Sequence, residues 1–140
     1  MFIFIYDYFL YLFMTSSTLI FDGAGFEAIG TTSWGIASSL GYVDGEFISL
    51  EETLLITERI LKSTKAPVNV DMESGYSNDV DEISKNVKKV MELGAAGINI
   101  EDMNRGSEHS IRDISLQSEI INEIKRVVTR DVGIFLLTPE

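Results

Sequence analysis

Carboxylate side chains follow two short apolar runs of this sequence, at the point where each run ends. The run 67–70 is followed by Asp71 and Glu73, and the run 97–100 is followed by Glu101. Apolar runs of this length are typical of buried strands in a parallel sheet, where the chemistry lies at the carboxyl ends of the strands. If the first strand continues through both acids, Asp71 and Glu73 point to the same side. Carboxylates gathered at one edge repel one another unless a cation lies among them, so the pattern predicts a divalent metal site.

The composition sets limits on what the chain does. Its 140 residues are enough for one compact domain, and the net charge of −11 argues against a nucleic-acid partner, because phosphate binding needs a basic surface. The absence of cysteine excludes disulfides, zinc–thiolate sites and cysteine nucleophiles, and it fits a cytoplasmic location. His109 is the single histidine, so a site with several histidine ligands is excluded. We expect His109 to be a solvated loop residue.

The first fourteen residues differ from the rest of the chain. They contain seven of the fourteen aromatic residues and one charged residue, Asp7. A secretory signal normally begins with basic residues, whereas the first basic residue here is Arg59. A membrane anchor, a buried element and a non-native start of a truncated gene are three readings of this segment. We favour the last, and we treat residues 1–16 as a segment outside the domain 17–140.

Hydrophobic periodicity and capping residues predict an alternation of strands and helices after residue 16. The predicted strands cover residues 26–32, 67–71, 97–100 and 132–137. Four helices are predicted. The first ends at Gly23, and the second runs from a capping box at Ser49 and Glu52 to about Ser63. The third runs from a cap at Asn78 or Asp79 to Gly94, and the fourth begins at Ser115. Residues 33–45 and 101–113 are predicted to be loops.

This alternation implies parallel strands joined by crossover helices. Two architectures fit it: a small doubly wound sheet, and part of an eight-stranded barrel. A complete barrel of this kind has about 250 residues. Four strands would therefore form about half of one.

Four stretches of the sequence, in order, resemble the isocitrate lyase/phosphoenolpyruvate mutase superfamily. They include Gly-Phe-Glu-Ala-Ile-Gly-Thr-Thr-Ser at 25–33 and Gly-Tyr-Val-Asp-Gly-Glu at 41–46. The others are Val-Asp-Met-Glu-Ser-Gly-Tyr at 70–76 and Gly-Ala-Ala-Gly-Ile-Asn-Ile-Glu-Asp at 94–102. The resemblance extends over about residues 17–135. It implies an α/β fold that is a partial (β/α)8 TIM barrel with about four parallel strands.

The resemblance also implies a chemistry and a cofactor. Members of the superfamily make or break C–C or P–C bonds in small 2-oxo or 2-hydroxy carboxylates with the help of Mg2+, which stabilises an enolate. By position, Asp71, Glu73 and Glu101 are similar to the carboxylates around that metal, most of which act through water. This expectation agrees with the preference of Mg2+ for oxygen ligands and retained waters.

The resemblance implies further site residues. Thr32, Ser33 and Trp34 are similar to the turn whose backbone N–H groups hold the substrate carboxylate. Asp44 is similar to a catalytic polar residue in the loop after the second barrel strand. Members usually exchange a helix between subunits, which makes a homo-oligomer an expected assembly.

Departures from the family pattern complicate these expectations. The lyase branch has a Lys-Cys-Gly-His loop where this chain has residues 103–109 without cysteine, and Leu137 stands where a substrate-binding arginine is usual. The usual Asn-Ala-Trp-Asp first strand and the last three strands are also missing, so we expect a truncated member with impaired activity. The alternatives are an inactive fragment of such an enzyme and a membrane-tethered interaction module.

Overall fold

The computed structural model of the chain describes residues 9–12, 15–106, 110–128 and 133–137, and side chains from residue 15 to Gly133 within those ranges. Strands and helices alternate throughout this part of the chain. The strands are β1 (Phe9–Leu12), β2 (Ala28–Thr31), β3 (Val68–Asp71), β4 (Gly97–Glu101) and β5 (Gly133–Leu137). The helices are α1 (Thr15–Gly23), α2 (Ser33–Ser39), α3 (Leu50–Ser63), α4 (Val80–Leu93) and α5 (Ile114–Val127).

The five strands form one parallel sheet in which spatial order follows sequence order. Each strand pairs with the next one along the chain, from β1 to β5. A doubly wound sheet reverses its strand order at a switch point, whereas the wall of a (β/α)8 barrel keeps sequence order. The topology therefore supports the partial barrel and not the doubly wound sheet.

Two elements differ from the sequence-based expectation. The sheet has five strands in the described residues and not four, because Phe9–Leu12 pairs with β2 in parallel. Part of the aromatic segment 1–16 is thus a strand of the sheet. The segment 33–45, predicted to be a loop, begins with helix α2. The side chain of Thr32 caps this helix by accepting a hydrogen bond from the N–H of Gly35.

The two faces of the sheet have different chemistry. Val68, Val70, Ile98 and Ile100 are almost fully buried and pack with apolar residues of the crossover helices. Burying one such aliphatic side chain contributes about 1.5–3 kcal/mol. Because successive residues of a strand alternate between faces, the opposite face is polar, and its amides bond across the strands. The buried Asn69 Nδ2 donates to Asn99 Oδ1 at 2.8 Å.

The helix ends follow the predicted capping signals. Ser49 and Glu52 form a complete capping box at the start of α3. Asp79 caps α4, which ends at Gly94 with a left-handed backbone, φ 109°. These ends fix the lengths of the helices that cover the apolar face of the sheet.

Gly75 holds the backbone in a close turn after β3. Its φ is +92°, and a Cβ built on it would lie 2.7 Å from Ile83 Cγ2 and 3.2 Å from Ile100 Cδ1. Both isoleucines are fully buried in the core. A side chain at this position would therefore suffer from both backbone strain and steric overlap.

We expect Gly75→Ala to lower the free energy of unfolding by about 2–4 kcal/mol, since left-handed strain and overpacking add. Gly94→Ala is the matched control. Gly94 also has a positive φ, but nothing lies within 4 Å of its added Cβ. Its cost should be about 1–2 kcal/mol, from backbone strain alone. Urea denaturation followed by circular dichroism measures both values, and equal losses would contradict a packing role for Gly75.

Candidate active site

Parallel pairing brings the predicted acidic residues to one edge of the sheet. Asp71 is the last residue of β3 and lies in register with Asn99 of β4, two residues before Glu101. The N–H of Glu101 donates to the backbone oxygen of Glu73 at 2.7 Å. Asp71, Glu73 and Glu101 therefore lie together at the carboxyl end of the sheet, as the sequence predicts.

The expectation that Asp71 and Glu73 point to the same side because both lie on one strand is wrong. The two acids nevertheless converge. Strand β3 ends at Asp71, so Glu73 lies in the turn that follows and has a left-handed backbone, φ 47°. The N–H of Glu73 donates to Asp71 Oδ1 at 3.2 Å. It is this turn, and not strand alternation, that brings the two carboxylates together.

A cleft of about 270 Å³ opens at this edge between the loop that follows α2 and the loops that follow β3 and β4. We call it the rim cleft. Four acidic residues line it, together with neutral residues of the same loops. Among the described residues that line it, Arg105 is the only one with a positive charge. The acidic residues are Asp44, Glu46, Glu73 and Glu101.

Burial and neighbouring negative charges raise the pKa of three acids at this edge of the sheet. Burial, followed by the charges of Glu46, Asp44, Asp71 and Glu101, raises the pKa of Glu73 to about 8. Burial, followed by the charges of Asp71, Asp44, Glu46 and Asp102, raises the pKa of Glu101 to about 7. Burial also raises the pKa of Asp71, even though two backbone N–H groups favour its charged form. In the described part of the chain, Arg105 pairs with Glu46, and no basic side chain forms an ion pair with Asp71, Glu73 or Glu101 to stabilise their ionised state.

The donor set fits Mg2+ held largely through water. Glu73 Oε1 is buried and has no hydrogen-bond partner among the described residues. Within the described part of the chain, no three Asp, Glu or His side chains converge tightly enough to hold an ion by direct contact alone. Mg2+ keeps several of its waters and needs few direct protein ligands, so carboxylates at this spacing suit it.

The predicted substrate turn lies beside Asp71. The N–H of Ser33 donates to Asp71 Oδ2 at 3.0 Å, so this amide holds the carboxylate in place. Thr32 caps helix α2 and is half-buried. Trp34 is 63% exposed and makes little contribution to the core. Asp44 is exposed and lines the rim cleft, which places it within reach of a bound ligand.

Glu46 was not among the predicted site residues, although it organises the turn that carries Glu73. Its Oε1 accepts hydrogen bonds from the N–H and hydroxyl of Ser74, at 3.0 and 2.6 Å, and from the N–H of Tyr76, at 2.9 Å. Its Oε2 pairs with Arg105 Nε at 3.0 Å. The acidic turn Tyr-Val-Asp-Gly-Glu was visible in the sequence, but its partners lie 28 and more residues away.

Arg112 is a second residue that sequence reasoning missed. It is 4% exposed, and its Nη2 donates to the backbone oxygens of Ser74 at 2.6 Å and Ser77 at 3.1 Å. Its Nη1 donates to the backbone oxygen of Glu101 at 3.1 Å. This buried guanidinium ties the loop after β3 to the end of β4. No local motif in the sequence indicates that role.

Two positions that depart from the family pattern have different outcomes. Leu137 lies in register with Glu101 on β5, so the backbone position beside the acids belongs to a leucine. His109 lies outside the described residues.

In the part of the chain that is described, no helix is long and apolar enough to cross a membrane, and residues 1–8 of the aromatic segment lie outside that part.

The sequence profile of the family described as phosphoenolpyruvate phosphomutase matches residues 11–138. The chain belongs to this family. The match begins inside β1 and covers all the residues of the acidic edge. Membership of the phosphoenolpyruvate mutase/isocitrate lyase superfamily, expected from the sequence, is confirmed.

Two relatives show how much of a family member this chain represents. An uncharacterized protein of Mycobacterium tuberculosis is 37% identical over 110 residues, which are 79% of this chain and 40% of the relative. The 2-methylisocitrate lyase of Escherichia coli is 29% identical over 114 residues, 79% of this chain and 38% of the enzyme. The chain thus spans about two fifths of the length of these relatives.

A solved structure has the same fold. Phosphonopyruvate hydrolase, in complex with oxalate and Mg2+, superposes with a TM-score of 0.87 at 17% identity, covering 93% of this chain and 46% of the hydrolase. Such a likeness at low identity shows the fold alone. It confirms the predicted partial TIM barrel.

We expect the metal-free chain to lose stability as the pH rises from about 5 to about 8. The folded-state pKa values of Glu73, about 8, and Glu101, about 7, lie above the ordinary value of 4.5. The folded state therefore binds more protons than the unfolded state in this range, and the stabilisation is complete below pH 4.5 and lost as the pH passes 7 and 8.

Urea denaturation in the presence of a chelator, repeated at each pH, measures this dependence. Glu73→Gln should flatten the curve, because the amide does not ionise. Glu119→Gln changes an exposed acid on α5 and should leave the curve as it is in the wild type. A wild-type stability that rises over the same range would show that the acids are not crowded.

Proposed function

We propose that the rim cleft is the metal-binding part of an active site for lyase or phosphonomutase chemistry. The reaction would make or break a C–C or P–C bond in a small 2-oxo or 2-hydroxy carboxylate. One observation carries the proposal: buried acids with raised pKa values converge at the carboxyl end of a barrel sheet, and no basic side chain of the described residues forms an ion pair with Asp71, Glu73 or Glu101. A divalent cation is the partner that satisfies this arrangement.

The chain's own residues would hold the cation as follows. Asp71 is fixed by the N–H groups of Ser33 and Glu73, so its carboxylate keeps one orientation. Glu73 and Glu101 are fixed to each other by a backbone hydrogen bond and would bind the ion's waters. When bound, Mg2+ supplies positive charge that stabilises a developing enolate.

The substrate would lie between this acidic edge and the loop after β2. Asp44 is exposed at the cleft, where it is placed to orient the substrate or to exchange a proton with it. In the proposal, the turn at Thr32, Ser33 and Trp34 holds the substrate carboxylate. Since the Ser33 amide already bonds to Asp71 and the Gly35 amide to the Thr32 side chain, the amide of Trp34 would be the one for that task.

Binding without turnover is a second proposal, and one observation favours it. The rim position next to Glu101 on β5 is Leu137, which offers no charge to a substrate. A chain that binds the ion and the acid but lacks a complete set of catalytic groups would be an inactive fragment of such an enzyme. Product formation from a bound substrate would contradict this second proposal.

We expect Mg2+ at millimolar concentration to raise the melting temperature, because an ion that binds only the folded state stabilises it. Oxalate should add to this rise only when Mg2+ is present. Asp71→Asn should abolish most of the rise, since it removes one charge of the acidic edge and keeps the shape of the side chain. Differential scanning calorimetry at pH 8 measures the shift, since Glu101 is then mostly ionised and a bound ion would displace the remaining proton of Glu73.

Glu119→Gln provides the matched control, because it removes one acidic charge from the exposed surface of α5. Its response to Mg2+ should equal that of the wild type. An equal response of the Asp71→Asn variant would mean that the ion binds elsewhere. The absence of any Mg2+ shift in the wild type would overturn the proposed function.

A further inference from the structure

The buried side chain of Arg112 connects two backbone segments behind the acidic edge. Its guanidinium donates to the backbone oxygens of Ser74, Ser77 and Glu101, and 4% of the residue is exposed. Ser74 directly follows Glu73 in the chain. One guanidinium therefore bridges the turn that carries Glu73 and the backbone of Glu101.

The backbone of Arg112 is itself fixed. Its N–H donates at 2.6 Å to the oxygen of Asp102, the residue that follows Glu101. The next residue, Asp113, caps helix α5 by accepting a hydrogen bond from the N–H of Ser115 at 2.8 Å. The side chain of Arg112 thus reaches the turn after β3 from a backbone that is held on both sides.

The turn after β3 needs contacts that enforce its shape. Glu73, Gly75 and Tyr76 all have a positive φ, and such conformations persist only where the surroundings impose them. Glu46 accepts hydrogen bonds from N–H groups of this turn, whereas Arg112 donates to its backbone oxygens. Removing the guanidinium would release two of those oxygens while the N–H groups stay bound.

The charge of Arg112 and its hydrogen bonds have opposite effects on a cation at the acidic edge. A buried positive charge repels a cation nearby, so electrostatics alone predicts that losing Arg112 strengthens cation binding. Losing the hydrogen bonds would let the mutually repelling acids move apart, which weakens the binding of an ion that needs them at a fixed spacing. The sign of the change in affinity therefore distinguishes the two effects.

We propose that Arg112 is a positioning residue: by holding the turn after β3 against the end of β4, it fixes the spacing of Glu73 and Glu101 that Mg2+ binding requires. This inference rests on the proposed function and concerns a residue that touches neither ion nor substrate. Mg2+ needs near-ideal octahedral coordination, whereas the larger Ca2+ accepts irregular sets of ligands. Loss of the spacing should thus affect Mg2+ more than Ca2+. The competing role for Arg112 is support of the fold alone.

Isothermal titration calorimetry with magnesium chloride and, separately, calcium chloride at pH 8 tests the inference. Arg112→Met removes the guanidinium and keeps an unbranched apolar side chain in the buried position. It should weaken Mg2+ binding about tenfold or more, the usual effect of losing a group that orients a metal ligand. The affinity for Ca2+ should change less than about threefold, since its coordination is flexible. Circular dichroism at the temperature of the titration verifies that each variant is folded.

Arg112→Lys separates geometry from charge. It keeps the positive charge but lacks the planar fork that reaches several oxygens at once, so it should also weaken Mg2+ binding. Val90→Ala is the control for stability, because Val90 is fully buried in the last turn of α4, at the amino end of the sheet. This variant should melt at a lower temperature and bind both ions as the wild type does. Arg126→Gln removes a positive charge from the exposed surface of α5 and should also leave both affinities unchanged.

The outcomes separate the inference from the proposed function. Equal or tighter Mg2+ binding by folded Arg112→Met, or equal losses for Mg2+ and Ca2+, would overturn the inference and leave the metal site standing. If the wild type binds no Mg2+, the proposed function itself fails. Should Arg112→Met not fold, Arg112→Lys decides by the same comparison, and wild-type affinity for Mg2+ in that variant would overturn the inference.

Discussion

Mutual repulsion among carboxylates at one edge of a parallel sheet is the constraint on which the rest of this structure depends. Strands that pair in sequence order place all their carboxyl ends on the same side, so acids at the ends of β3 and β4 are forced together. Burial then raises the cost of keeping them ionised, which the raised pKa values of Glu73 and Glu101 express. The free-energy cost of burying ionised carboxylates thus arises at the edge of the sheet where a bound cation can offset it.

The backbone around these acids is held in conformations that side chains rarely adopt. Glu46, Glu73 and Tyr76 all have a positive φ, between 47° and 61°, and Gly75 lies among them. Each such residue costs about 1–3 kcal/mol and persists only where the surroundings enforce it. Here the enforcing contacts are the hydrogen bonds that Glu46 accepts from Ser74 and Tyr76. Strain and acidic charge therefore occupy the same few residues.

Local signals in the sequence predicted the elements that depend on local interactions. The capping box at Ser49 and the glycine stop at Gly94 act within a few residues, and both were confirmed. Helix α2 was missed because Ser, Gly and Thr in residues 32–39 read as loop, while the Thr32 cap that starts the helix was overlooked. Strand Phe9–Leu12 was missed because an aromatic run has no period that distinguishes a sheet strand from other buried segments.

The residues of the site likewise divide into those that local sequence signals predict and those that act through distant partners. Asp71 and Glu101 were predictable because they end apolar strands, whereas Glu46, Arg105 and Arg112 act through partners 11–59 residues away, which no local pattern reveals.

Glu46 shows why that distant network matters for chemistry. Its negative charge helps to raise the pKa of Glu73 and Glu101, so it adds to the field that would attract a cation. Through its other oxygen it holds Arg105, the positively charged residue among those described that line the rim cleft. One buried carboxylate thus fixes both the turn that carries Glu73 and an arginine of the loop after β4.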